Sequence, residues 1–257
     1  MEEAKTLRTP DNPIIRASIE DMLRIAKDLD VILAGGWAVY HWLKKWSLNG
    51  VPSVDVDFLV RRDSFKEVYL RLRELGYQSS GFRYFKVVKD GELPFLEERI
   101  NVDLLFDRKP SRLSFESPYV KTVFKEKYYS IERFEFEGLS GKVRIVLPEA
   151  LIVLKLDIYS NPTYSDEKRE KHWKDMVDIY SLFMGAPTLR IKVFENLYKV
   201  KPFSFEHLEM FFSKESRELM DVISIIMEYV GIPFDREGLF MKIDEIKKAL
   251  DLELSGG

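Results

Sequence analysis

Five residues have types and spacing that could do chemistry: Gly35 and Gly36 in LAGGWAVYHW, Asp55 and Asp57 in SVDVDFLV, and Asp103 in INVDLLF. Each aspartate interrupts an apolar run of strand character, where a carboxylate is seldom tolerated unless something pairs with its charge. Successive side chains of a strand alternate faces, so Asp55 and Asp57 are expected to point the same way, roughly 7 Å apart. Two carboxylates so placed repel unless a cation lies between them. Mg²⁺ suits the position, because hard oxygen ligands and substrate phosphates are its usual partners. Asp103 shares its strand face with Asn101 and Leu105, opposite Ile100, Val102, Leu104 and Phe106. If that strand neighbours DVDFLV, a third carboxylate joins the pair. Two metal ions could then be held about 4 Å apart, one activating a hydroxyl and one clamping a triphosphate. The layout is the one needed to move a nucleotidyl group.

The glycine pair supplies the phosphate side. Without side chains, Gly35 and Gly36 let backbone N–H groups approach an anion, and the helix that follows aims its N-terminus there. Ser53 can donate a hydroxyl to a phosphate oxygen or simply start the strand. Each piece also has a plainer reading: a tight turn for the glycines, an exposed edge strand with solvated acids for Asp-x-Asp. The order of the pieces gives them their meaning: strand, Gly-Gly, helix, loop, Asp-x-Asp strand, later Asp strand.

These residues need elements to hold them. Ile15, Ile19, Met22 and Leu23 recur at helical spacing between Pro13 and Asp28. A strand is expected over 30–34, a helix over 37–46, a strand over 55–60 and a helix over 63–75 that stops at Gly76. FRYFKVV and ERINVDLLF form a hairpin around KDGELP, and ERFEFE and KVRIV form another. Residues 108–129, with Pro110, Pro118 and several serines, read as excursions over the surface. From Pro148 a helix runs to Tyr159, and a charged loop, NPTYSDEKREKH, leads to the helix WKDMVDIYSLF. Three or four amphipathic helices then follow over 188–250. The division falls near Leu147, giving domains 1–147 and 148–257.

The chain has 257 residues, 46% hydrophobic and 32% charged, enough for a large core under a dense charged surface. A net charge of -3 does not mark a general nucleic-acid binder, although a local basic groove would not show in the total. With no cysteine, disulfides, thiolate nucleophiles and Cys-ligated zinc are excluded. No apolar stretch reaches membrane-spanning length, and MEEAK is not a signal-peptide start, so a soluble cytoplasmic protein is expected. His41, His172 and His207 lack metal-ligand spacing, and Trp37, Trp42 and Trp46 suit core packing better than base stacking.

The glycine turn, Asp-x-Asp strand and third acidic strand resemble the polymerase-β-like nucleotidyltransferase superfamily. The resemblance implies an α+β fold: a mixed sheet flanked by helices, with a C-terminal helical domain closing the cleft. It also implies that Gly35, Gly36, Asp55, Asp57 and Asp103 hold a nucleoside triphosphate and two Mg²⁺ ions, with Ser53 on phosphate and Asp103 helping to deprotonate the acceptor. The 18 residues between Gly36 and Asp55, with GGWAVY, are more similar to the AbiEii-type toxin nucleotidyltransferases and the lincosamide and aminoglycoside nucleotidyltransferases. The similarity covers roughly residues 14 to 185.

A lysine after the sheet followed by a Lys-Asp-x-x-Asp helix also resembles the AbiEii type. Lys155 interrupts LIVLKL, and Lys174, Asp175 and Asp178 lie in WKDMVDIY. By that resemblance Lys155 grips the triphosphate, and Asp175 or Asp178 orients Lys155 or the acceptor. Read from the residues alone, Lys155 snorkels and Lys174–Asp178 is a surface pair. Lys168, Arg169 and Lys171 suit either a phosphate contact or a solvated charge run. The acceptor implied for a toxin-like enzyme is RNA, such as a tRNA end, with an antitoxin protein as partner. A small-molecule acceptor, or a non-catalytic regulator that binds nucleotide or a partner protein, are the alternatives.

Overall fold

The computed structural model describes residues 12–80, 83–89, 97–112, 114–159, 169–214 and 217–255. Asn12 caps the first helix, α1 (Pro13–Ala26), by accepting the Ile14 N–H at 2.9 Å, and Pro13 sits in the first turn. The inner face of α1 buries Ile15, Ser18, Ile19, Met22 and Ile25. The chain then runs through β1 (Val31–Ala34), α2 (Gly35–Lys45), β2 (Val56–Val60), α3 (Phe65–Glu74), β3 (Gln78–Ser80), β4 (Arg83–Lys89) and β5 (Glu97–Phe106). β6 (Phe115–Glu116), α4 (Pro118–Lys125), β7 (Tyr129–Phe136) and β8 (Leu139–Val146) complete the mixed part. Six helices follow among the described residues: α5 (Pro148–Tyr159), α6 (Arg169–Gly185), α7 (Ile191–Val200), α8 (Glu206–Lys214), α9 (Arg217–Val230) and α10 (Arg236–Ser255).

The fold class is α+β. Among the described residues the strands form one mixed sheet in the order β3-β4-β5-β2-β1-β8-β7, with β6 alongside β5. β1 lies inside the sheet between β2 and β8, and its four residues Val31, Ile32, Leu33 and Ala34 are all buried, as a strand covered on both faces requires. It pairs antiparallel with β2 and parallel with β8, while β2 pairs parallel with β5. α1 packs against β1, β5 and β8 on one face.

The expected elements sit close to those observed, with two differences near the candidate chemistry. β2 begins at Val56, so Asp55 occupies the bend before the strand rather than its first position. The stretch 108–129 is not only surface excursion. α4 lies within it, capped by the Ser117 side chain, begun by Pro118, and buried through Tyr119, Val120 and Val123. Ser-Pro ahead of Val-x-x-Val is a helix-start signal in its own right. The polar arm before Asn12, residues 90–94 of the KDGELP turn and Lys168 fall outside the described residues, as do the side chains of Arg169, Lys171 and His172.

The described chain divides into two compact units, one of residues 12–41 and 51–146, the other of 42–50 and 147–255. The first contains the sheet. In the second, α6 packs on α5, α9 and α10, and α7 packs on α5 and α10. Residues 42–50 lie with the helices: the Asn49 side chain donates to the Tyr229 carbonyl at 2.9 Å, and the Asn49 N–H to Val230 at 3.0 Å. No helix among the described residues is long and apolar enough to cross a membrane.

Candidate functional site

The strand registers align four residues in one row of the first unit. Ala34 on β1 pairs with Asp57 on β2, Asp57 with Asp103 on β5, and Asp103 with Arg83 on β4. Residues paired across a ladder project to the same face, so both carboxylates and the guanidinium share one side of the sheet. Asp57 and Asp103 are partly exposed, while Val56, Phe58, Val102 and Leu104 are buried. The alternation in INVDLLF therefore reads correctly, and the strand that carries Asp103 does lie next to the one that carries Asp57.

One residue beyond the row, β1 gives way to Gly35. A Cβ built there would stand 1.8 Å from Asp57 Oδ2 and 2.5 Å from its Cγ. The Asp57 carboxylate thus rests directly on the bare Cα of Gly35, and the glycine turn and the acid row meet at a single point. Gly35 also has φ of 60°, in the left-handed region that suits glycine. Gly36 follows in the first turn of α2, where N–H groups have no intrahelical acceptor and can face an anion.

Asp55 is tied to β5 although it precedes β2. Asn101 Nδ2 donates to Asp55 Oδ1 at 3.0 Å, from the strand face that Asp103 shares. The Ser53 hydroxyl donates to the Asp55 backbone carbonyl at 3.2 Å, so in this structure it fastens its own loop. One step earlier, Ser18 Oγ of α1 donates to the Val54 carbonyl at 2.6 Å.

Asp103 is held by a cation from the protein itself: Arg83 Nη2 lies 3.0 Å from Asp103 Oδ2. Among the described residues no three Asp, Glu or His side chains converge as a ready-made metal cage. The donor set still suits Mg²⁺, which is commonly held by one or two carboxylates with substrate phosphates completing its shell. Asp55 and Asp57 are the pair that could hold it, with the Gly35 turn beside them.

A second polar cluster lies in the helical unit. Lys155 Nζ of α5 lies 2.6 Å from Asp175 Oδ1 and 2.9 Å from Asp178 Oδ2, both on α6. Lys155 and Asp178 are each 6% exposed and Asp175 is partly buried, so the lysine meets its two acids largely out of water. Burial alone lowers the affinity of the Lys155 amine for its proton, but the two carboxylates outweigh it and the net shift is upward. Replacing Lys155 with Met takes this cation away from the buried Asp178 and the partly buried Asp175. The expected cost is about 3–5 kcal/mol, a fall of roughly 10 °C in melting temperature. Because the lysine's affinity is raised in the fold, this contribution is complete below the ordinary lysine range and fades only as pH climbs beyond it. Melting curves of both proteins at neutral and at strongly alkaline pH check this: the gap should be full at the first and narrower at the second.

Three contributors escaped the motif reading. Asn101 and Arg83 become visible only through strand pairing. Ser18 left a trace, a hydroxyl inside the apolar stripe of α1. Among the aromatic candidates, Trp37 is fully buried with its ring edge-on to Phe134 and Phe136. His41 stacks on Phe134, 3.8 Å from a Glu132 carboxylate oxygen, and His207 is exposed.

No family model matches the chain, and no curated protein does. Among solved structures it is similar to JHP933 from Helicobacter pylori, at 15% identity and a TM-score of 0.46, covering 95% of this chain and 96% of that one. It is also similar to an antigenic nucleotidyltransferase-like protein from Paracoccidioides brasiliensis, at 13% identity and a TM-score of 0.41, covering 89% of this chain and 96% of that one.

Proposed function

We propose that the first unit is a Mg²⁺-dependent nucleotidyltransferase that moves a nucleoside monophosphate from a triphosphate to an acceptor hydroxyl. The observation that carries this reading is the seating of the Asp57 carboxylate on the Cα of Gly35, in register with Asp103. A phosphate-approach turn and a cation-holding acid row then occupy one place, as in-line transfer needs. Gly35 and Gly36 receive the triphosphate, and Asp55 and Asp57 carry its divalent cation. Asp103, steadied by Arg83, orients the attacking hydroxyl. Mg²⁺, when bound, supplies charge neutralisation at the phosphates and lowers the acidity barrier of the hydroxyl. The acceptor is an RNA hydroxyl, such as a tRNA end, as the AbiEii-like spacing and the Lys155–Asp175 pattern imply. A cytoplasmic toxin with a protein antitoxin fits the same resemblance.

The Arg83–Asp103 ion pair favours one other reading, a nucleotide-binding regulator in which a guanidinium occupies the third acid. One experiment separates the two. The protein is incubated with each α-³²P-labelled nucleoside triphosphate, Mg²⁺ and total cellular RNA, beside an Asp55→Asn/Asp57→Asn control. Label moved to RNA only by the intact protein supports transfer and identifies the base. Nucleotide binding without transfer to RNA, or to small hydroxylated acceptors, supports the regulator. Absence of nucleotide binding removes both.

A further inference from the structure

The strongest unassigned feature near the site is a buried hydroxyl on α1. Ser18 is fully buried on the apolar inner face of that helix. A helical serine commonly returns its proton to the carbonyl four residues back. Ser181 does so to Val177 at 2.8 Å and Ser224 to Met220 at 2.9 Å. Ser18 instead donates to the Val54 carbonyl at 2.6 Å and accepts the Trp37 indole N–H at 3.3 Å. Val54 immediately precedes Asp55, and Trp37 lies two residues beyond Gly35.

We propose that Ser18 is a positioning residue, one hydroxyl that fixes the entry to the Asp-x-Asp strand against the glycine turn. The inference rests on the metal and nucleotide reading of that site. The physical need is specific. Residues 51–55 lie outside any strand, so sheet hydrogen bonds do not place them. Yet Asp57 must approach the Gly35 Cα so closely that even a methyl group there would overlap it. Ser18 links the loop and α2 through a single oxygen, so neither moves without the other. Alanine at this position would leave the Val54 carbonyl and the Trp37 N–H buried without their partner and free the loop to shift. Supporting residues of this kind change metal affinity about 10–100-fold while never touching the metal.

The test uses the full chain with Mn²⁺ alone as probe, its binding read by electron paramagnetic resonance. It is paired with hydrogen exchange of the amides 53–57. Wild type is compared with Ser18→Ala, Ser18→Thr and Tyr77→Phe. Tyr77 is the control because its hydroxyl also braces α1, donating to Asp21 at 3.1 Å, without touching the loop. Ser18→Ala should weaken Mn²⁺ binding by about tenfold or more and speed exchange over 53–57. Ser18→Thr should recover both, and Tyr77→Phe should change neither. Wild-type Mn²⁺ affinity in Ser18→Ala, or an equal loss in Tyr77→Phe, overturns the proposal. If wild type itself binds no Mn²⁺, the metal reading falls and exchange decides Ser18. Acceleration confined to Ser18→Ala then upholds the link, and unchanged exchange refutes it.

Discussion

Asp57→Asn is expected to abolish transfer of labelled nucleotide and to leave the fold intact. Asparagine keeps the shape of the side chain, so the seat on Gly35 and the β2–β5 ladder both survive. It removes one of the two carboxylate charges that a divalent cation would balance. The melting temperature should stay close to that of wild type. Turnover should fall by about two to three orders of magnitude, the scale set by removing a group that manages developing charge in a reaction. The pairing of the two readouts matters: an inactive variant that melts like wild type has lost chemistry rather than structure. Turnover within tenfold of wild type would remove Asp57 from the site.

Gly35→Ala should be as damaging by a different route, through geometry rather than charge. The left-handed backbone at Gly35 costs an alanine about 1–2 kcal/mol before any contact is counted. Its methyl group would then overlap Asp57, at 1.8 Å from Oδ2 and 2.8 Å from Cβ. The carboxylate must leave its seat, so the variant should be both less stable and unable to bind Mg²⁺-nucleotide. A double-variant cycle exposes the cause. Trimming Asp57 to alanine removes the two closest contacts, so Gly35→Ala/Asp57→Ala should lose clearly less stability than the sum of the single changes. Additive losses in chemical denaturation would show that the two residues do not meet as described.

What the sequence carried about this site divides along physical lines. The face of β5 that bears Asp103 is legible because alternation is local: Ile100, Val102, Leu104 and Phe106 declare the core side whatever the strand pairs with. The glycine turn is legible for the same reason, since a strand, two glycines and an apolar helix lie within a dozen or so residues. The adjacency of Asp57 and Asp103 is not local. It depends on a parallel ladder between segments far apart in the chain, which periodicity cannot fix. Arg83 illustrates the limit, for in FRYFKVV it reads as one more residue alternating along a hairpin. Only the antiparallel register with β5 sets it opposite an acid. Lys155 was conspicuous because a cation inside LIVLKL demands a partner, but nothing local says that it takes two. Asp55 was expected in the strand and lies in the bend before it, because the bonds that place it come from Asn101 and the neighbouring loop rather than from the ladder.

The assignment of residues 42–50 to the helical unit bears on how this gene could be cut. The chain leaves the sheet unit after His41, returns at Val51, and leaves again after Val146. Neither unit is a continuous stretch of polypeptide. A truncation ending at residue 146 would keep Trp42 and Leu43, both buried in the whole protein, yet discard the helices of their own unit. Such a fragment exposes those side chains and is a poor candidate for soluble expression.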